Sequence, residues 1–200
     1  MDAFTVHTGR VVPLRRSDVD TDQIFPGRFG RNATSRTGYA DALFANWRDQ
    51  EPDFVLNQAV YAGADILVTG ADFATGSSRE YAVWALQDYG FKAVLAPRFG
   101  DIFRGNAPKR GLLPVVLEQA VIDQLWTMAE EDPSTRVTVD LVERRVTAPG
   151  LSVAFEIDGD TRHRLLNGLD DIAVTEQYLD TVDAFEARRH AGFPTTYSHA

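Results

Sequence analysis

The chain has 200 residues, 44% hydrophobic and 24% charged, with a formal net charge of −9. That length suffices for one domain with a sizeable core. The acidic balance argues against broad binding to nucleic acid or to anionic membranes, which both need a basic surface. No cysteine is present, which excludes a disulfide, a thiolate metal site or an iron–sulfur cluster ligated by this chain.

The opening MDAFTVHTGRVVPLRR lacks a charged region followed by an apolar run, so no signal peptide is expected. No apolar stretch approaches the ~20 residues that span a membrane, and a cytoplasmic protein is expected. The histidines (His7, His163, His190, His199) lie far apart without metal-ligand spacing and read as surface or capping residues.

Residues 3–14 mix Val and Thr with turn residues and predict a short strand or hairpin. Residues 15–38 hold five arginines (Arg15, Arg16, Arg28, Arg31, Arg36) and few periodic apolar positions, and predict a long loop of the functional or disordered kind. GYADALFANWRDQ (38–50) predicts a helix. DILVTG, from 65, is a buried strand; residues 78–89 form a helix with Ala82, Ala85, Leu86 and Tyr89 on one stripe, ended by Gly90. KAVLAP and LLPVVL are two further buried strands, separated by a short helix and turn in RFGDIFRGNAPKRG. EQAVIDQLWTMAEED is an amphipathic helix. Strands alternating with helices through tight links imply parallel pairing. RVTVDLVERRVTAPGLSVAFEI then reads as antiparallel strands by its period of two, and the helical stretch after it is broken at Gly168. The expectation is a single α/β domain over 1–190 with a mixed sheet and a flexible tail over 191–200.

The turn from Gly70 to Gly76 and the residues after it admit two readings. Ser77, Ser78, Arg79 and Glu80 fit the S-x-x-E capping box, which by itself accounts for the serine and the glutamate. A glycine turn after a buried strand also leaves helix N-terminal N–H groups pointing outward at the carboxyl end of an α/β sheet, where anions bind. Arg79 adds a fork suited to a carboxylate. A nucleotide P-loop does not fit, because no lysine follows the second glycine, and the G-x-S-x-G hydrolase elbow is absent. Carboxylate binding is therefore favoured over phosphate binding.

DTDQIFPGRF (20–29), GADFATGSSREYAVWALQDYGFKAV (70–94), RFGDIFRGNAPKRGLLPV (98–115) and RLLNGLDDIAVT (164–175) together resemble the small subunits of 3-isopropylmalate dehydratase, the separate swivelling domain of the aconitase superfamily. The resemblance implies a three-layer β/β/α fold. It implies a large-subunit partner, in a heterodimer or heterotetramer, that carries a 4Fe-4S cluster through its own cysteines, with no cofactor bound by this chain. The implied reaction isomerises 2-isopropylmalate to 3-isopropylmalate through 2-isopropylmaleate, in leucine biosynthesis, with a small dicarboxylate as substrate. It implies Ser77 as the catalytic base, Ser78 and Arg79 as carboxylate ligands, and Asp22 as a site-ordering residue, for which a turn or cap role is the alternative. Arg31 falls near the family's substrate-loop cation, a role that Arg28 or Arg36 could take instead. Asn106 reads as a turn or supporting residue.

Three departures stand out. The family turn reads G-S-S-R-E-H, and Tyr81 takes the place of the histidine; Ala74 stands where glycine is usual; and the 26–39 loop offers little apolar surface for an isopropyl group. The last leaves open a related hydro-lyase acting on another 2-substituted malate or a citraconate-like acid. A third reading is a non-catalytic carboxylate-binding domain on the same fold.

Overall fold

A computed structural model describes residues 1–30, 37–76, 80–189 and 192. Among them, seven strands form one mixed sheet: β1 (Val6–Leu14), β2 (Ile66–Thr69), β3 (Ala93–Ala96), β4 (Leu113–Val116), β5 (Arg136–Asp140), β6 (Arg145–Ala148) and β7 (Leu151–Ala154). Their spatial order is β4-β3-β2-β1-β5-β6-β7. The fold turns on β1. Its first half pairs antiparallel with β5, from Val6 opposite Asp140 to Arg10 opposite Arg136. Its second half pairs parallel with β2, from Val11 opposite Ile66 to Leu14 opposite Thr69. One strand thus joins a parallel half (β1 to β4) to an antiparallel half (β5 to β7). The sequence left strand or hairpin open for 3–14; a single strand forms.

Alternation along the strands creates two cores. Val12, Leu14, Leu67, Val94 and Ala96 face a helical layer made of α1 (Thr21–Ile24), α2 (Ala45–Gln50) and α3 (Glu80–Tyr89), where Phe25, Phe44, Phe73 and Leu86 are fully buried. Val11, Ile66, Val68, Ala93 and Leu95 face the other way, toward Val137, Val139 and Val146 of the antiparallel half. Ile122, Leu125 and Trp126 of α5 (Gln119–Glu131) close this second core, and the Trp126 indole N–H donates to the Val68 carbonyl at 2.9 Å. The result is helix layer, parallel strands, antiparallel strands: the expected β/β/α order. Each fully buried phenylalanine stabilises the fold by about 1.5–3 kcal/mol.

Two helical expectations change. The 15–38 segment is not wholly irregular, since α1 and a 3-10 turn at Gly27–Phe29 lie within it. The 38–50 helix is split into a 3-10 turn at Ala40–Ala42 and α2, because Phe44 adopts a left-handed conformation (φ 48°). That kink buries the Phe44 ring and lets its N–H donate to the Ile24 carbonyl at 2.8 Å. The remaining helices are α4 (Asp101–Asn106), α6 (Gly159–Asn167), α7 (Asp171–Glu176) and α8 (Leu179–Arg188). Gly168 (φ 66°) ends α6, as its place in the helical pattern predicts. The expected tail at 191–200 lies outside the described residues apart from Gly192.

The C-terminal helices rest on carboxylates. Asp158 caps α6, accepting from the Thr161 N–H at 2.8 Å, and hydrogen bonding by Thr161, first through its side chain and then through that N–H, holds its carboxyl below the usual range. Asp171 is held below it too, chiefly by the Arg164 guanidinium at 2.5 Å and then by Lys109 at 3.3 Å. A carboxyl lowered on folding contributes stability above its unfolded value near 4, and that stability is lost as pH falls through the folded value. Solvent screening keeps the Asp171 contribution small. In pH-resolved amide exchange, α6 and α7 are expected to lose protection below about pH 4 while β2 and β3 stay protected; simultaneous loss across the sheet would contradict this.

Candidate active site

Three parallel strands deliver their following loops to one place. After β1, residues 16–21 run beside the turn that follows β2. The Gly70 N–H donates to the Arg16 carbonyl at 2.9 Å, the Asp18 N–H to Ala71 at 2.9 Å and the Ala74 N–H to Val19 at 2.6 Å. The Thr21 N–H returns a bond to the Thr75 carbonyl at 3.0 Å, and Asp20 and Thr75 form an isolated parallel bridge. On the other side the loop after β3 takes part: the Phe73 N–H donates to Arg98 at 3.1 Å and the Gly100 N–H to Phe73 at 2.9 Å. The 70–76 turn is therefore held from both flanks, with the Phe73 ring fully buried beneath it.

Its backbone is strained. Asp72 and Ala74 both sit at φ 60°, Gly76 at φ 93°, and Asp18 across the zipper at φ 55°. A left-handed alanine costs about 1 kcal/mol relative to glycine, so Ala74 adds strain as well as stiffness. Strained non-glycine residues persist only where surrounding structure dictates them, and they concentrate at functional sites. Asp72 is anchored outward by Arg98, whose guanidinium hydrogen bonds hold the carboxyl below its usual range.

The turn leads through 77–79 into α3, whose ten residues direct a partial positive charge back toward it. Glu80, in the first turn of α3, pairs with Arg110 at 3.6 Å, and Arg110 also lies over the Trp84 ring, 5.4 Å from its centroid. Tyr81 is a packing residue: its ring stacks on Phe25 with centroids 5.2 Å apart.

Of the residues singled out from the sequence, Ser77, Ser78, Arg79 and Arg31 lie outside the described residues, as does Arg36. Asp22 is described. It sits exposed in the first turn of α1, one residue from Thr21, which bonds the 70–76 turn. The capping role weighed for Asp22 belongs to Asp20. Asp20 accepts from the Gln23 N–H at 2.8 Å, and the Gln23 side chain accepts from the Asp20 N–H at 2.8 Å. The pattern D-x-x-Q in DTDQ was the available signal. Arg28 is engaged on the surface, with Asn46 and with Asp49 at 3.7 Å, and lies over Phe29. Asn106 ends α4.

The family model for the aconitase C-terminal domain matches residues 1–120, and a second model, described as LeuD_N, matches 123–159. The 3-isopropylmalate dehydratase small subunit of Acidothermus cellulolyticus is 61% identical over 98% of both chains. That of Thermobifida fusca is 58% identical over 98% of this chain and all of its own. The chain belongs to the family of 3-isopropylmalate dehydratase small subunits. As a member of that family it also superposes on the crystal structure of 3-isopropylmalate dehydratase (LeuD) from Methanocaldococcus jannaschii. The TM-score is 0.66 at 27% identity, covering 90% of this chain and 99% of that one. In this small subunit, then, the zippered and strained 70–76 turn lies inside the aconitase-like part of the chain. Among the described residues no helix is long and apolar enough to cross a membrane, and no group of three or more metal-ligating side chains is placed to hold a metal ion.

Proposed function

We propose that the chain works as the small subunit of a cytoplasmic two-subunit hydro-lyase that converts 2-isopropylmalate to 3-isopropylmalate, its 1–190 domain closing over an active site shared with a large subunit. The observation that carries this reading is near-full-length similarity to small subunits of that enzyme, joined to a strained turn fixed by three converging loops. Without cysteine the chain offers no thiolates for a 4Fe-4S cluster. In this reading that group belongs to the large subunit, and the steps assigned here are those of the small chain.

Dehydration takes a proton from a carbon beside a carboxylate and a hydroxyl from its neighbour; rehydration returns water with the positions exchanged. Ser77 is the base. A serine hydroxyl is far too weak an acid to be ionised unaided at neutral pH, so its alkoxide needs the positive end of α3 and the Arg79 guanidinium together. Ser78 donates a hydrogen bond to one substrate carboxylate, and Arg79 pairs with it as a fork. Arg31 meets the substrate from the loop, and Asp22 helps order the site at the domain boundary.

The alternative substrates are separated by rate. The assembled enzyme is expected to prefer isopropylmalate over methylmalate in kcat/KM by at least about tenfold, since each methylene in an apolar pocket is worth about 10–200-fold. Equal or reversed preference would assign the enzyme to a smaller 2-substituted malate.

A further inference from the structure

α3 carries two stripes. Ala82, Val83, Ala85 and Leu86 are buried in the core beneath the helix. Tyr81, Trp84 and Asp88, at i, i+3 and i+7, form a second line along its length. That line meets the two ends of the segment between Gly30 and Thr37. At the entering end, the Tyr81 ring stacks on the fully buried Phe25 (5.2 Å, 13° between planes), and a Cβ at Gly30 would lie 3.4 Å from the Phe25 ring and 3.5 Å from the Tyr81 ring. At the leaving end, buried Tyr39 meets Phe25 edge-on at 5.5 Å and Tyr81 edge-on at 5.8 Å, and stacks on Trp84 at 6.0 Å. The Tyr39 N–H donates to the Asp88 carboxylate at 2.8 Å. Tyr81 and Trp84 are themselves in edge contact at 4.9 Å. The Trp84 indole N–H is buried without a hydrogen-bond partner among the described residues, so the ring is held for its faces.

We propose that this four-ring cluster and the bond from Tyr39 to Asp88 clamp both ends of the 31–36 segment to the helix that begins at the catalytic turn, making Tyr81 and Tyr39 positioning residues for substrate selection. The consequence for selection rests on the function proposed above; the clamp does not. Phe25 ends α1 and so ties the same rings to the zipper at Thr21 and Thr75. Loop ends and turn are thereby referred to one rigid set of aromatic contacts. Ring stacking, with no tyrosine hydroxyl required, is what holds Tyr81 in this account.

Two measurements test it. Amide exchange on the full chain reads the clamp directly. Tyr81→Leu is expected to speed exchange at Gly30 and Tyr39, and Asp88→Ala at Tyr39, with β2 and β3 amides unchanged. Tyr81→Phe is expected to match the wild type. In the assembled enzyme, Tyr81→Leu is expected to lower kcat/KM for isopropylmalate on the order of 10- to 100-fold, the scale of a small misplacement. The loss should fall mainly on KM, with the preference over methylmalate reduced and with Tyr81→Phe restoring both. Unchanged exchange at Gly30 and Tyr39 in Tyr81→Leu, or damage in Tyr81→Phe equal to that in Tyr81→Leu, would overturn the proposal. An assembled wild-type enzyme that turns over neither acid would overturn the function, while exchange still judges the clamp.

Discussion

Ser77→Ala is expected to lower kcat of the assembled enzyme by about 10²–10⁴-fold, the contribution of a positioned general base, with KM little changed and the two subunits still bound. The expectation follows from where the residue falls in the chain. Ser77 comes directly after Gly76, whose φ of 93° ends the strained turn, and three residues before Glu80, where α3 is under way. An alkoxide there draws on the helix N-terminal charge, which falls off within the first turn. Ser77→Thr keeps the hydroxyl and is expected to retain more activity than the alanine variant. Steady-state rates with a binding assay for the subunits check both. A Ser77→Ala enzyme within threefold of wild type would remove serine from the role of base.

Gly100→Ala is expected to destabilise the protein by about 1–3 kcal/mol, the usual cost of forcing extra volume into packed structure, and to impair catalysis beyond that loss. A Cβ at Gly100 would lie 3.0 Å from both the Ala74 carbonyl carbon and the Thr75 Cα, and closer still to the Ala74 oxygen. Those neighbours are backbone atoms of the strained turn. They are pinned on their far side by the bonds to Val19 and Thr21, so they have no room to retreat. Relief has to come from moving the turn itself, which shifts the residues that follow it. Urea unfolding of the chain, alongside kcat/KM of the assembled enzyme at a temperature where the variant is folded, separates the two effects. A variant with wild-type stability would mean that the loop after β3 yields freely.

Much of this arrangement was legible in the sequence. The short apolar runs that become β2 and β3 are buried on both faces, as parallel strands are, while the edge strand β4 alternates buried and half-buried residues, and Gly90 and Gly168 stand where helices end. The period of two over 136–154 yields the antiparallel half. Other features had no local signal. Nothing in VHTGRVVPL reveals that the strand pairs with β5 along one half and β2 along the other, because partner choice is a property of the whole sheet. Phe44 takes a left-handed conformation that its side chain disfavours, since a buried ring and a bond to Ile24 outweigh local preference. The same competition puts Asp72 and Ala74 at positive φ. The turn stood out as a motif, but its zipper to 16–21 arises from distant backbone groups. The line of Tyr81, Trp84 and Asp88 was hidden by the stronger apolar stripe on the same helix.

The central claim is that this chain completes a dehydratase it cannot form alone. Mixing it with its cluster-loaded large subunit and following the ultraviolet absorbance of 2-isopropylmaleate tests that claim most directly. The account predicts turnover of isopropylmalate by the mixture and none by either chain alone. An assembled wild-type complex that turns over no isopropylmalate, or a large subunit fully active without this chain, would contradict it.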